Sequence, residues 1–176
     1  MQPTLTNYWN FKDKEYRFDV YMSDDFSNIG EVKQVYGFAI SEDKKKMLVG
    51  YNKEGIWLLP GGGVKEGETL LDTLEREVKE ETNRDVDINT ATPFFYQRCF
   101  VKNQKGKWEY MQTQVRYIVK VSNNLEFEHD PDHGDIIKVE WIPIEDIDKY
   151  LDWEGVIEKV KEELPNYVNK LKESNQ

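Results

Sequence analysis

After Pro60 the chain reads GGGVKEGETLLDTLEREVKEETNR, residues 61 to 84, and no other stretch limits its folding as tightly. Gly61, Gly62 and Gly63 let the backbone come close to a phosphate or a metal shell, or make a tight connection from strand to helix. Thr69 with Asp72 three residues later resembles a capping box, so the spacing predicts a helix from there to about Thr82. Glu68 falls just before that helix, where it either favours the helix dipole or joins a metal shell.

Side-chain directions on this helix decide what its acids do. At about 100° per residue, Leu70, Leu71, Leu74 and Val78 form one apolar stripe, with Asp72, Glu75 and Lys79 roughly opposite. Glu77, Glu80 and Glu81 lie instead along the rim of the stripe, at i, i+3 and i+4, so their carboxylates gather within one turn. Three like charges at such a rim repel one another and raise each other's pKa unless a cation sits among them. A hard divalent ion with oxygen ligands, Mg²⁺ or Mn²⁺, resolves this. The alternative is a solvated acidic helix, against which the rim position and the upstream glycines both weigh.

Gly62, Glu68, Arg76, Glu77, Val78, Glu80 and Glu81 together resemble the signature box of the Nudix hydrolases, MutT-like in its spacing. Two positions depart from it. Asn83 stands for the closing glycine, a mild change because Asn tolerates the left-handed conformation that ends a helix. Arg84 stands for an aliphatic residue and is expected to expose a charge.

The resemblance implies an α+β fold, an α/β/α sandwich with a mixed sheet between helices. It implies Mg²⁺- or Mn²⁺-dependent cleavage of a phosphoanhydride in a nucleoside diphosphate derivative, with a nucleoside triphosphate, oxidised or not, as the default substrate. Glu77, Glu80 and Glu81 would be catalytic and metal-binding, with Glu68 and Gly62 as further metal candidates. Arg76 would fix the glutamates by pairing with Glu80 or Asp72. The base is either Glu77 or a carboxylate from a later loop. Gly61, Gly62 and Gly63 are the backbone candidates for substrate contact, joined by Arg98 and Arg116, because an arginine within a strand must point somewhere paired. A non-catalytic nucleotide sensor on the same fold is the alternative, typical of relatives that have lost box carboxylates.

The 176 residues are expected to form one domain, with 1–30 as an N-terminal extension, 31–150 as the core and 151–176 as a C-terminal helix. A net charge of −10 argues against nucleic acid or an anionic membrane as a non-specific partner and leaves a small metal-complexed nucleotide compatible. The single cysteine, Cys99, excludes a disulfide within the chain and reads as a small buried hydrophobe; with no signal or spanning segment, a cytoplasmic protein is expected.

Along the chain, residues 1–10 read as polar with aromatic punctuation, and Tyr16 to Met22 as a half-buried strand. Further strands are expected at Val32–Ile40, Met47–Tyr51, Thr92–Val101, Trp108–Val121 and Ile136–Ile142, the third and fourth joined as a hairpin through Lys102, Lys105 and Lys107. Tyr16, Phe18, Tyr96 and Trp108 are candidates for base stacking, each also readable as core. Residues 126–135 hold both histidines and five acids, but Pro131 and Gly134 oppose a helical zinc pair of His129 and His133. The Nudix resemblance implies that a carboxylate of this loop, Glu128, Asp130, Asp132 or Asp135, approaches Glu81 to complete the metal site or serve as base. Trp153 to Leu171 has helical spacing interrupted by Pro165, packing on the sheet or forming a homodimer contact.

Overall fold

Along Val32–Ile40 the residues Phe38, Ala39 and Ile40 are buried without alternation, the mark of a strand covered on both faces. The computed structural model describes residues 2–122 and 135–171. Its strands are β1 (Leu5–Phe11), β2 (Lys14–Tyr21), β3 (Val32–Ile40), β4 (Lys46–Asn52), β5 (Trp57–Leu58), β6 (Gly61–Gly63), β7 (Val86–Lys102), β8 (Trp108–Val121) and β9 (Ile136–Pro143). The helices are α1 (Leu70–Thr82) and α2 (Val156–Lys170), with a 3-10 turn at Ile144–Lys149.

The strands form one mixed sheet in the order β1-β2-β7-β8-β3-β4-β5, with β6 added to β3 and β9 to β4. Among the described residues only β3 and β8 run parallel; the other pairs are antiparallel. β3 shares one edge between two partners: β6 takes Gln34 to Tyr36, while β4 takes Ala39 and Ile40. That division brings the glycine segment level with the middle of the sheet.

Each face carries a helix. Val35, Ala39, Val115 and Val119 pack with Leu74 and Val78 of α1. Phe38, Ile40, Phe94, Phe95 and Ile118 pack with Val160, Leu164 and Val168 of α2. Full burial of a Leu or Val side chain contributes about 1.5–3 kcal/mol, so Leu74 and Val78 alone anchor α1 firmly. Gly37 sets how close α1 comes, since a Cβ there would lie 3.0 Å from both Leu74 and Val78. This is the expected α/β/α arrangement. Among the described residues no helix is long and apolar enough to cross a membrane.

Several local expectations change. Leu5–Phe11 is a strand, closing a hairpin onto β2 through Lys12 and Asp13, both left-handed at φ 46 and 61. Lys-Asp gives no advance notice of this turn, which favours Asn-Gly. β7 starts at Val86 rather than Thr92, because its register on β8 shifts between Asp87 and Thr92 and breaks the alternation. Pro165 does not interrupt α2 but sits within it, on the exposed side, where water can serve the carbonyl it leaves unbonded. Arg84, expected exposed, is buried at 9%.

Candidate metal and phosphate site

The site begins with the capping box that fixes where α1 starts. The Thr69 hydroxyl accepts from the Asp72 amide at 3.1 Å, and the Asp72 carboxylate accepts from the Thr69 amide at 2.8 Å. At the other end Asn83 adopts φ 53, ψ 39 and donates its N–H to the Lys79 carbonyl, so it fills the closing glycine's place. With both ends set, the rotation of the helix is fixed and with it the direction of every acid.

A cation does sit among the glutamates, and it belongs to the chain. Arg76 lies bidentate on Glu68, Nε to Oε1 at 2.6 Å and Nη2 to Oε2 at 2.9 Å. Its Nη1 reaches Glu77 Oε1 at 2.6 Å and Glu80 Oε2 at 3.1 Å, and Nη2 also donates to the Gly63 carbonyl at 2.9 Å. The expected partner Asp72 is occupied by the cap instead, while Glu80 is engaged as expected. Glu68 also accepts from the Thr73 hydroxyl and the Lys65 amide. These bonds, the Arg76 guanidinium first, hold its carboxyl down to about 2. Glu68 in turn leads the groups that raise the Arg76 pKa. Glu68 therefore orients the arginine that orients Glu77 and Glu80.

The glycine segment closes on the same carboxylates. Gly61 donates its N–H to Glu81 Oε2 at 2.8 Å, and the Glu77 carboxylate rests where a Cβ of Gly62 would be, 2.7 Å away. Gly61 itself has φ 153 and passes the Val35 carbonyl so closely that a Cβ would fall 2.3 Å from its oxygen. Only glycine fits position 61, where a Cβ would meet backbone, whereas at position 62 a Cβ would have to displace the Glu77 carboxylate.

Beside this edge lies a second cation. Arg116 is buried at 7%, with Tyr36, Phe95 and Trp153 rings 5.0, 5.2 and 6.0 Å away. It donates to Gln114 Oε1 at 3.0 Å, its Nε has no hydrogen-bond partner, and burial lowers its pKa. Tyr36 joins the two groups: burial first raises its hydroxyl pKa, Arg116 opposes, and Glu81 and Glu77 add to the rise. Arg98 stands on the other face, where it donates to the carbonyls of Ile29 and Asn28 and lies over Tyr21. It secures a loop and is separated from Arg116 by the sheet.

Sequence reading missed an amide cluster on the Arg116 face. Gln97 donates to Gln114 at 2.8 Å, Gln112 donates to Gln34 at 3.1 Å, and Gln114 also donates to Gln34. The signal was there, since Gln112, Gln114 and Arg116 alternate along one strand, as do Gln34 and Tyr36 along another. Of the stacking candidates, Tyr96 is core, stacked on Tyr21 at 4.7 Å, while Trp108 lies near Tyr8 at 5.8 Å. Glu128, Asp130, Asp132, His129 and His133 lie outside the described residues. Asp135 is described and faces Lys53 at 3.8 Å.

Among the described residues no three acidic, histidine or cysteine side chains converge as a ready metal cage. The donor set nevertheless fits a hard ion. Glu77, Glu80 and Glu81 are adjacent oxygen donors, and Mg²⁺ is usually held by one or two carboxylates together with substrate phosphates rather than by an all-protein cage.

Comparison with known proteins bears on the family and the fold. The NUDIX domain model matches residues 32–164. Nudix hydrolase 5 of Arabidopsis thaliana is 26% identical over 114 residues, which cover 62% of this chain and 35% of that protein. The chain thus spans about a third of that relative. An RNA pyrophosphohydrolase of Ruthia magnifica subsp. Calyptogena magnifica is 30% identical over 125 residues, covering 63% of this chain and 70% of that one. In fold, a Bacillus subtilis pyrophosphohydrolase, BsRppH, superposes with a TM-score of 0.58 at 20% identity, covering 91% of this chain and 92% of its own. Because the family model spans most of the sheet, all of α1 and most of α2, the chain belongs to the NUDIX domain family.

Proposed function

We propose that the protein hydrolyses a phosphoanhydride bond in a nucleoside diphosphate derivative, with Mg²⁺ or Mn²⁺ as cofactor. The observation that carries this reading is Arg76 holding Glu77 and Glu80 side by side while Gly61 holds Glu81. Glu77, Glu80 and Glu81 are the residues that would hold the ion, which when bound neutralises phosphate charge and polarises the phosphorus.

The chain's own groups do the rest. Glu68 and Arg76 keep the carboxylates in register, so no reorganisation is needed when phosphate arrives. The glycine backbone admits the phosphates to within contact of the cluster. Arg116, a buried cation with no carboxylate partner among the described residues, supports anion binding from the sheet side. A carboxylate of the cluster, in our reading Glu77, accepts the proton of the attacking water, and the leaving phosphate departs in line.

The test is product chromatography with a panel of nucleoside triphosphates, oxidised purine nucleotides, dinucleoside polyphosphates and nucleotide sugars, with and without Mg²⁺. Metal-dependent cleavage that falls by orders of magnitude in Glu80→Gln supports the reading. A nucleotide that raises the melting temperature yet is never cleaved would replace it with a sensor.

A further inference from the structure

Given the hydrolase reading above, we infer that Arg116 is a positioning residue that fixes the direction of a row of glutamine amides, and that Gln34 and Gln97 at the ends of this row select a base with an exocyclic amino group. The row crosses three strands. Gln34 of β3 lies opposite Gln114 of β8, and Gln114 lies opposite Gln97 of β7, so the three side chains share one face of the sheet. At the near end Gln34 pairs with Gly63, so the row starts at the glycine strand that bounds the carboxylates. A Cβ at Gly63 would meet nothing within 4 Å, which leaves open space beside Gln34. Tyr36, next along β3 on that face, feels the charge of both Glu81 and Glu77.

A glutamine amide can turn over, exchanging its oxygen for its NH2 group, so a single glutamine presents either one. Arginine has no such freedom, because every polar group it carries donates. Arg116 Nη2 lies 3.0 Å from the Gln114 amide, so the atom it meets there is Oε1. Gln114 Nε2 then points the other way and donates to Gln34 Oε1. Gln112 Nε2 donates to that same oxygen at 3.1 Å, and Gln97 Nε2 donates to Gln114 Oε1 at 2.8 Å. Each bond settles the next. Arg116 is itself enclosed by the rings of Tyr36, Phe95 and Trp153, so its fork has little room to turn.

Two polar groups of the row are left over. Among the described residues Gln34 Nε2 and Gln97 Oε1 have no hydrogen-bond partner, and both side chains are half-buried. The row therefore offers a donor beside the carboxylates and an acceptor at its far end. Two strand spacings separate these ends, roughly 10 Å at about 4.8 Å each, which is room for a nucleoside. A nucleotide with its phosphates at the glutamates reaches the row sugar first. Adenine and cytosine carry acceptors on the sugar side and an amino group on the far side, which meet Gln34 and the Gln97 carbonyl in turn. Guanine carries the reverse, an amino group toward the sugar and a carbonyl beyond. Donor would then face donor and acceptor face acceptor, leaving both ends unpaired.

Isothermal titration of the protein in Mg²⁺ with AMP and with GMP reads the row without cleavage, since neither ligand has a phosphoanhydride. AMP is expected to bind about tenfold or more tighter than GMP. In Arg116→Met the amides regain both directions, and the ratio is expected to fall towards one. Loss of anion attraction alone would weaken both ligands alike and keep the ratio. Gln34→Glu turns the near donor into an acceptor with Arg116 still in place, so it is expected to move the preference towards GMP whatever happens to overall affinity. Melting temperatures show whether each variant is folded, and Gln34→Glu decides alone where loss of Arg116 unfolds the chain. Equal binding of AMP and GMP by the wild type, binding of neither, or a ratio that the folded variants leave unmoved overturns the inference. Turnover of ATP and GTP is a separate readout: a protein that cleaves neither yet keeps the AMP preference refutes the hydrolase reading and not the row.

Discussion

Arg76 meets Glu68 edge to edge, with both carboxylate oxygens bonded, and still has Nη1 left for Glu77 and Glu80. Only a planar fork can do this; an ammonium is a point charge and would serve one or two of the three acids. Arg76→Lys is therefore expected to lower kcat/KM by about 10²-fold, the cost of a displacement near 1 Å at a reacting centre. Steady-state kinetics across a Mg²⁺ titration, up to saturation, check this. If a higher Mg²⁺ concentration alone restores the rate, Arg76 merely shields charge and does not position the glutamates.

Gly62 and Gly63 are neighbours with opposite sensitivities. A Cβ at Gly62 would lie 2.7 Å from the Glu77 carboxylate, whereas one at Gly63 meets nothing within 4 Å. Gly62→Ala should push Glu77 aside and reduce kcat/KM by about 10²-fold. Gly63→Ala should leave activity within about twofold, since nothing has to move. Equal losses in the two variants would mean that backbone freedom, not space for Glu77, is what the glycines supply.

The box made α1 legible because its information is local: capping residues, an apolar stripe at period 3.6 and an αL-tolerant Asn83 all lie within the helix itself. The strands from β3 to β4 were legible for the same reason. The Glu68–Arg76 pair was not, because its geometry depends on Gly63 and Thr73 as well as on an eight-residue separation. Arg116 was marked as a candidate, but its aromatic surroundings come from three distant segments, Tyr36, Phe95 and Trp153. β1 escaped because the Lys12-Asp13 turn uses left-handed residues without the glycine that signals them.

The helix cap gives a prediction in acid. Thr69→Ala removes the oxygen that receives the Asp72 amide and should destabilise the fold by about 1 kcal/mol in urea unfolding. The Asp72 carboxyl is held below its ordinary value of 3.8, first by the Thr69 hydroxyl and then by the Thr69 amide. A carboxyl depressed on folding contributes stability that is complete above its unfolded pKa and fades as pH falls through the folded one. The stability difference between wild type and Asp72→Asn should therefore be constant near neutrality and shrink below about pH 4. A difference that grows in acid would show that the box is not formed.

Gly37 tests the packing that carries the site. It faces α1 from the middle of β3, and a Cβ there would crowd Leu74 Cδ1 and Val78 Cγ2 at 3.0 Å each. Both side chains are fully buried, so neither has free volume to retreat into. Gly37→Ala should lift the helix slightly and cost about 1–3 kcal/mol by overpacking. Because Glu77, Glu80 and Glu81 ride on that helix while Gly61 and Gly62 stay with the sheet, the same shift should also reduce kcat. Gly37→Ala/Val78→Ala returns the lost space, so it should recover activity more completely than stability, since a cavity remains beside the new methyl. Urea unfolding and steady-state rates on the two variants separate these effects. Recovery of stability without recovery of rate would show that the distance between α1 and β6 does not govern the chemistry.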